Sequence, residues 1–491
     1  MSENRALPAL LPNYIGGKRK ASRSKRHLPV TNPTTGEVIT QVPMSLAADL
    51  EDAVQCAAEA QSDWGETPVK DRVQYLFRMK TLMEKQKERL AKRITEENGK
   101  THEESLGSIL RAVECLEFAA SLPQLIPGGG LEVGRGVECR TIRYPIGITA
   151  CITPFNFPLM VPLWMSPLAL ACGNAVILKP SEQTPLSAME LADLFSEAGL
   201  PPGVFSVVHG DKEIVEAICD HPGIAAIGFV GSTPVAKAVH LRGTRHGKRV
   251  RALGGAKNHL IVVPDADHEM TATNVVASVT GCAGQRCMAA AVLLAVGAVD
   301  PIINRIREKM AGIVAGGNMG PMISQAAKER VSGYINRAED GEAILLLDGR
   351  DFIAESAPSG GYFIGPSIID HASPEHEASR DEIFGPVLTI IRCKTLDEAL
   401  AVENSSPYGN AAAVYTSSGK VAQYFVEHAD SGMLGINIGV PVPREPFAFG
   451  GWNDSRFGEG DLTGFGAIDF WTKSKKITTK WSAQSKSNWM S

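Results

Sequence analysis

A chain of 491 residues with 44% hydrophobic and 21% charged content has the make-up of an ordinary globular protein, long enough for two or three domains. A net charge of only -5 argues against a nucleic-acid-binding face and against a membrane-surface role, so neither partner is expected. Nine cysteines with no Cys-x-x-Cys pair argue against a disulfide framework or a structural zinc site. With no signal-peptide core and no apolar run of the ~18 residues a membrane span needs, a reducing, cytoplasmic setting is expected.

In chain order, the basic run Lys18 to Arg26 reads as a solvated turn or strand edge, and Val30 to Pro43 as a strand pair around a turn at Pro33 to Gly36. Apolar residues at helical spacing predict helices over Leu46 to Trp64 and Val69 to Asn98, the second stopped by Gly99. A third helix, His102 to Ser121, carries Ile109, Val113 and Leu116 on one stripe. Arg111 lies on another stripe, with Glu114 available as a surface partner. Pro123 to Gly130 reads as a linker and Val137 to Tyr144 as an extended strand.

Short apolar runs then alternate with helices: Ile146 to Thr153, Asn174 to Leu178, Phe205 to Val208 and Ala225 to Val230. This alternation predicts βαβ units and a parallel sheet, with ligands beyond the carboxyl ends of its strands. Three motifs fall at those ends. Thr153-Pro154-Phe155-Asn156-Phe157-Pro158 frames an amide between prolines. Lys179-Pro180-Ser181-Glu182-Gln183 sets a cation and a carboxylate where a nucleotide ribose can be gripped. Phe229-Val230-Gly231-Ser232-Thr233-Pro234 opens a helix whose free N–H groups suit a pyrophosphate, although no GxGxxG fingerprint occurs.

A further strand, His259 to Val263, leads to GCAGQRCMA, Gly281 to Ala289, where the chemistry is expected. Cys287 can form covalent intermediates only as a thiolate, so its surroundings must lower a pKa that starts near ~8.5, and Arg286 offers a positive field. Gly281, Ala283 and Gly284 are small enough to let a substrate approach the backbone. The histidine nearest in sequence, His259, reads as structural rather than as the base of a non-redox cysteine acyltransferase. A second block of helices and strands, through Asn410 to Tyr415, contains Asp381-Glu382-Ile383-Phe384-Gly385-Pro386. Its carboxylate and aromatic can bind a second ribose and pack a nicotinamide, or simply end a helix. The lysine-rich tail Phe470 to Trp481 reads as a terminal strand with no partner in its vicinity, of the kind that completes a sheet in a neighbouring subunit.

Five of these motifs, in this order and spacing, resemble the aldehyde dehydrogenases over Tyr14 to Trp481. The resemblance implies an α/β fold in three parts. These are a parallel-sheet NAD-binding domain (1–125 and 145–254, with part of 443–465), an α/β catalytic domain (255–442), and a bridging oligomerisation arm (126–144 and 466–491) that makes a homodimer or homotetramer. It implies Cys287 as nucleophile and Asn156 as the oxyanion amide, with no metal. It also implies NAD contacts at Thr153, Phe155, Lys179, Glu182, Gln183, Ser232, Gly254, Glu382 and Phe384. NAD is expected over NADP because Glu182 accepts from a ribose 2′-hydroxyl and repels a 2′-phosphate.

Hydrolytic members carry a glutamate in a Glu-Leu-Gly-Gly run, whereas this chain reads Ala252-Leu253-Gly254-Gly255. Neither Ala252 nor Leu253 can activate water, so transfer of the acyl group to a thiol carrier, coenzyme A, is favoured. Gly255-Ala256-Lys257-Asn258-His259, Gln285-Arg286-Cys287-Met288-Ala289 and Gly432-Met433-Leu434-Gly435-Ile436-Asn437 are similar to the methylmalonate-semialdehyde (malonate-semialdehyde) dehydrogenases, the CoA-acylating branch. That branch implies that Arg111 and Arg286 hold the carboxylate of a small semialdehyde, which leaves as CO2 to give propanoyl-CoA or acetyl-CoA. The alternative is a hydrolytic dehydrogenase of another anionic aldehyde. Arg444-Glu445-Pro446 departs from the pattern by placing charge near the substrate mouth, where relatives are apolar.

Overall fold

A computed structural model describes residues 7–339 and 343–481. The βαβ alternation builds an eight-stranded sheet whose five inner strands are parallel, in the order Phe205–Val207, Ala175–Lys179, Ile148–Ile152, Ile224–Val230, Arg249–Leu253. Ile148–Ile152 and Ala175–Lys179 are buried at every position, as expected of strands covered by helices on both faces. Asn13–Ile15 and Lys18–Lys20 extend one edge and Arg456–Phe457 closes the other, all antiparallel to their neighbours. From Ile148–Ile152 the chain winds first toward Phe205–Val207 and then returns to build the other half from Ile224–Val230. This reversal opens a crevice at the carboxyl ends of those two neighbouring strands, the place where such sheets bind ligands.

A second, seven-stranded sheet runs Ile344–Leu347, Ser367–Asp370, Val387–Cys393, Ala290–Val296, Asn258–Val262, Ala411–Tyr415, Met433–Ile436, parallel except at its first strand. Cys287 lies just before Ala290–Val296, separated from it by Met288 and Ala289, Asn410 immediately precedes Ala411–Tyr415, and Asn258 begins a third strand. The cysteine thus lies at the amino edge of its own sheet, the opposite end from that used by the first.

The predicted helices form at Ala47–Glu66, Val69–Asn98 and His102–Ala120. Gly99 ends the second with φ 84°, and Thr101 with Glu104 caps the third in a reciprocal pair of hydrogen bonds. The expected linker is partly ordered into a helical turn, Leu122–Leu125, and its last glycine begins a strand, Gly130–Gly134.

The expectation for the carboxyl-terminal strand requires correction. Thr472–Lys480 is not partnerless: it pairs antiparallel with Val137–Pro145 of the same chain along all nine residues, and Gly130–Gly134 completes a three-stranded sheet. The pairing joins the two stretches that the resemblance groups in one arm and that neighbouring residues alone do not connect: the helix Gly464–Phe470 returns the tail to the hairpin and the buried Trp471 anchors the turn. Thr472–Lys480 and Gly130–Gly134 are the two edge strands of this sheet, and on the second Leu131 and Val133 are 68% and 55% exposed.

Candidate active site

The crevice of the first sheet and the amino edge of the second enclose one cavity of about 680 Å³. Cys287, Asn156, Thr153, Phe155, Lys179, Glu182, Gln183, Ser232, Gly254, Glu382 and Phe384 all line it, from segments as far apart in sequence as 153 and 384. Arg111 and Arg286 are not among its walls.

Asn156 closes the strand Ile148–Ile152 on a buried loop. Its Nδ2 donates to the main-chain oxygen of Gln285 at 3.0 Å, which uses one of two amide hydrogens and joins the loop to the cysteine segment. Two residues that the sequence reading passed over hold this loop. Lys100 Nζ donates to Asn156 O at 2.6 Å and sits 4.0 Å from the centre of the Phe157 ring, and Asn98 Nδ2 donates to Phe155 O at 2.9 Å. Burial pulls the Lys100 ammonium below the usual lysine range.

Cys287 is half-buried. Its carbonyl accepts from Asn258 Nδ2 at 2.9 Å and Asn410 Nδ2 at 2.8 Å, so two strands of the second sheet fix the backbone carrying the thiol. Asn410 was given no role from sequence, since an asparagine before a strand reads as a turn residue. The expected lowering of the thiol pKa is not found: burial and the Glu382 carboxylate push Cys287 up to about 12. The main-chain N–H groups of Cys287 and Met288, and the Arg286 charge, pull the other way and lose. In the same region burial takes His259 down to about 3, leaving it neutral within its strand.

Arg286 turns away from the cavity. Its Nε donates to Cys282 Sγ at 3.3 Å and its NH2 lies 3.4 Å from Glu104 Oε1. The guanidinium lies flat on Gly281, where a Cβ would sit 2.2 Å from NH1. The small-residue run therefore serves packing rather than substrate access: Gly281 makes room for Arg286, and Gly284 for the main chain at Gly385, whose oxygen would be 2.2 Å from a Cβ. Arg111, two helical turns beyond Glu104, directs NH1 to Glu445 Oε2 at 2.6 Å and Glu114 Oε2 at 3.0 Å. Each arginine thus has a carboxylate from the chain itself.

The remaining lining residues suit a dinucleotide. Thr153 Oγ1 is buried without a hydrogen-bond partner. Lys179 Nζ and Glu182 Oε2 pair at 3.1 Å at the end of Ala175–Lys179. Ser232 caps the helix Thr233–Arg245 by backbone only, so the first N–H groups of that helix lack a side-chain acceptor and can receive a phosphate. Glu382 Oε1 accepts from Ala256 N at 3.0 Å while Oε2 lies so near Gly255 that a Cβ there would be 2.4 Å away. Burial raises the Glu382 pKa, opposed by that N–H and by Lys257. Phe384, held at φ 53°, meets Phe155 edge to face at 5.9 Å across the cavity. Among the described residues no group of three or more His, Cys, Asp or Glu is positioned to hold a metal ion.

The chain is similar to known proteins along nearly its whole length. The chain is 45% identical over 487 residues to malonate-semialdehyde dehydrogenase 1 of Geobacillus kaustophilus (strain HTA426), covering 98% of this chain and 99% of that protein. It is 44% identical over 486 residues to the malonate-semialdehyde dehydrogenase of Halalkalibacterium halodurans, covering 97% of this chain and 100% of that one. A solved structure from Sinorhizobium meliloti 1021, assigned as a methylmalonate-semialdehyde dehydrogenase and complexed with NAD, superposes with a TM-score of 0.95 at 39% identity, covering 98% of this chain and 100% of that one. That of methylmalonate-semialdehyde dehydrogenase from Oceanimonas doudoroffii gives 0.94 at 39% identity, covering 97% and 99%. The aldehyde dehydrogenase family profile matches residues 20–477, and with the cysteine loop, the amide loop and the dinucleotide crevice meeting in one cavity, the chain belongs to the aldehyde dehydrogenase family.

Proposed function

We propose that the chain is an NAD-dependent, CoA-acylating dehydrogenase that converts malonate semialdehyde and methylmalonate semialdehyde to acetyl-CoA and propanoyl-CoA with loss of CO2. Cys287 attacks the aldehyde carbon, and the oxyanion of the resulting thiohemiacetal is met by the free Asn156 amide hydrogen and the main-chain N–H groups beside the sulfur. The Thr153, Lys179, Glu182, Ser232 and Glu382 segments would hold NAD, which would supply the hydride acceptor; loss of the hydride from the thiohemiacetal carbon leaves an acyl thioester on Cys287. The thiol of coenzyme A then takes the acyl group. Arg111 and Arg286 are assigned to the substrate carboxylate, although neither lines the cavity: to reach it each must leave its present partners, Glu445 and Glu114 for Arg111 and Glu104 for Arg286.

The observation that carries the acylating reading is the end of the strand Arg249–Leu253. Ala252 and Leu253 are buried and apolar, and Gly254 and Gly255 continue straight into the cavity wall, so this strand end supplies no base to activate water. The names of the relatives above support malonate and methylmalonate semialdehyde as the substrates. One carboxylate does act on the thiol through space, that of Glu382, but a main-chain N–H pins one of its oxygens. It is the candidate base of a hydrolytic enzyme. Supplying malonate semialdehyde and NAD with and without coenzyme A, and weighing the products, separates the two. Acetyl-CoA and NADH that depend on coenzyme A are expected; free acid formed at a rate indifferent to coenzyme A rejects the acylating reading and indicts Glu382.

We further propose a homodimer or homotetramer assembled through the open edge of Gly130–Gly134, and a cytoplasmic location in keeping with nine free cysteines. No helix among the described residues is long and apolar enough to cross a membrane.

A further inference from the structure

The late loop that departs from the family pattern folds onto the helix His102–Ala120. Arg444 pairs with Glu114, and Glu445 inserts its carboxylate beside Arg111, so that four charges of zero sum form one cluster. Within it, Glu445 is the buried carboxylate. Its side chain is only 8% exposed and Arg111's 14%; Oε2 accepts from Arg111 NH1 at 2.6 Å and Oε1 lies 3.7 Å from the Cys115 thiol. Both NH1 hydrogens of Arg111 are committed, to Glu445 and Glu114. NH2 reaches Pro443 O at 3.4 Å, and Nε is enclosed without a partner. The loop is itself braced, by Phe447 N donating to Arg444 O at 3.0 Å and Phe465 N donating to Pro446 O at 3.1 Å.

A guanidinium is recognised by a carboxylate whatever molecule supplies it. We infer that Glu445 is a specificity-determining residue: it occupies, from within the chain, the place at Arg111 that a substrate carboxylate would take. The inference rests on the assignment of Arg111 to the substrate carboxylate. An acidic aldehyde must then displace Glu445, leaving a buried carboxylate without its cation and a cluster of net charge -1. A neutral aldehyde of similar size meets no such competition. The resident carboxylate thereby weakens binding of acidic aldehydes specifically and narrows the margin by which they are preferred.

The test compares KM for malonate semialdehyde and for propanal, with NAD and coenzyme A saturating, in the wild type, Glu445→Gln, Glu445→Leu and Arg111→Ala. Glu445→Gln keeps the shape and one acceptor but removes the charge. It is expected to lower KM for malonate semialdehyde about tenfold, since a neutral acceptor holds a guanidinium roughly half as strongly, and to move KM for propanal less than about twofold. Glu445→Leu checks that the gain follows loss of the carboxylate in a chain that still folds. If Arg111→Ala raises KM for the acid alone while both Glu445 variants leave it unchanged or raise it, Glu445 is no competitor and the inference is overturned. If Arg111→Ala raises KM for both aldehydes alike, the assignment of Arg111 itself fails and takes the inference with it.

Discussion

Cys287 is held mainly as a thiol, because burial and the Glu382 carboxylate outweigh the Arg286 field. With a folded pKa pushed up to about 12, the thiolate fraction rises about tenfold per pH unit across the neutral and mildly alkaline range. Alkylation by iodoacetamide, measured as the difference between wild type and Cys287→Ala, is therefore expected to climb about tenfold per unit from pH 7 to 9 without levelling. A plateau near pH 7 would show a thiolate already formed. The residues that align this thiol act on its backbone rather than its charge. Asn258 and Asn410 grip the carbonyl of Cys287, and neither could be assigned that task from its neighbours in sequence.

Glu97 shows how one side chain joins two elements. It lies near the end of Val69–Asn98 and accepts from Leu186 N at 2.7 Å and Ser187 N at 2.9 Å, satisfying the first turn of Leu186–Glu197 in place of a local cap. Burial nevertheless raises its pKa to about 7 from 4.5, against those hydrogen bonds and the charge of Arg93. A carboxyl with a raised folded pKa stabilises most below its unfolded value, and that contribution is lost as pH rises through about 7. Glu97→Gln keeps an acceptor and removes the titration. Its urea midpoint relative to wild type is expected to be higher at pH 8 than at pH 5; a difference that does not change with pH would show that Glu97 carries no such shift.

For the molecule as a whole, the cavity exists because two sheets present opposite ends to one another, carboxyl edge against amino edge. The three-stranded arm stands apart from both and leaves Leu131 and Val133 on an open edge, which water covers poorly and another strand edge covers well. If the proposed dimer or tetramer forms through this edge, replacing both by lysine is expected to give monomers in sedimentation velocity while leaving the circular dichroism spectrum in place. Unchanged sedimentation would remove this edge from the interface.

Local and periodic features were legible in the order of the amino acids. Helix spacing with Gly99 as a stop, the alternation that makes a parallel sheet, and the motifs at its strand ends are written in neighbouring residues, and eleven of the thirteen expected site residues do line one cavity. Contacts between residues hundreds of positions apart emerged only in the folded chain. Thr472–Lys480 pairs with Val137–Pro145, Glu445 meets Arg111, and Asn410 reaches Cys287. Burial and through-space charge follow from the same closing of the chain, which is why the sign of the Cys287 shift could not be read from Arg286 beside it. A pattern fixes which face of an element is apolar; only packing fixes what that face, or a charge on its rim, comes to rest against.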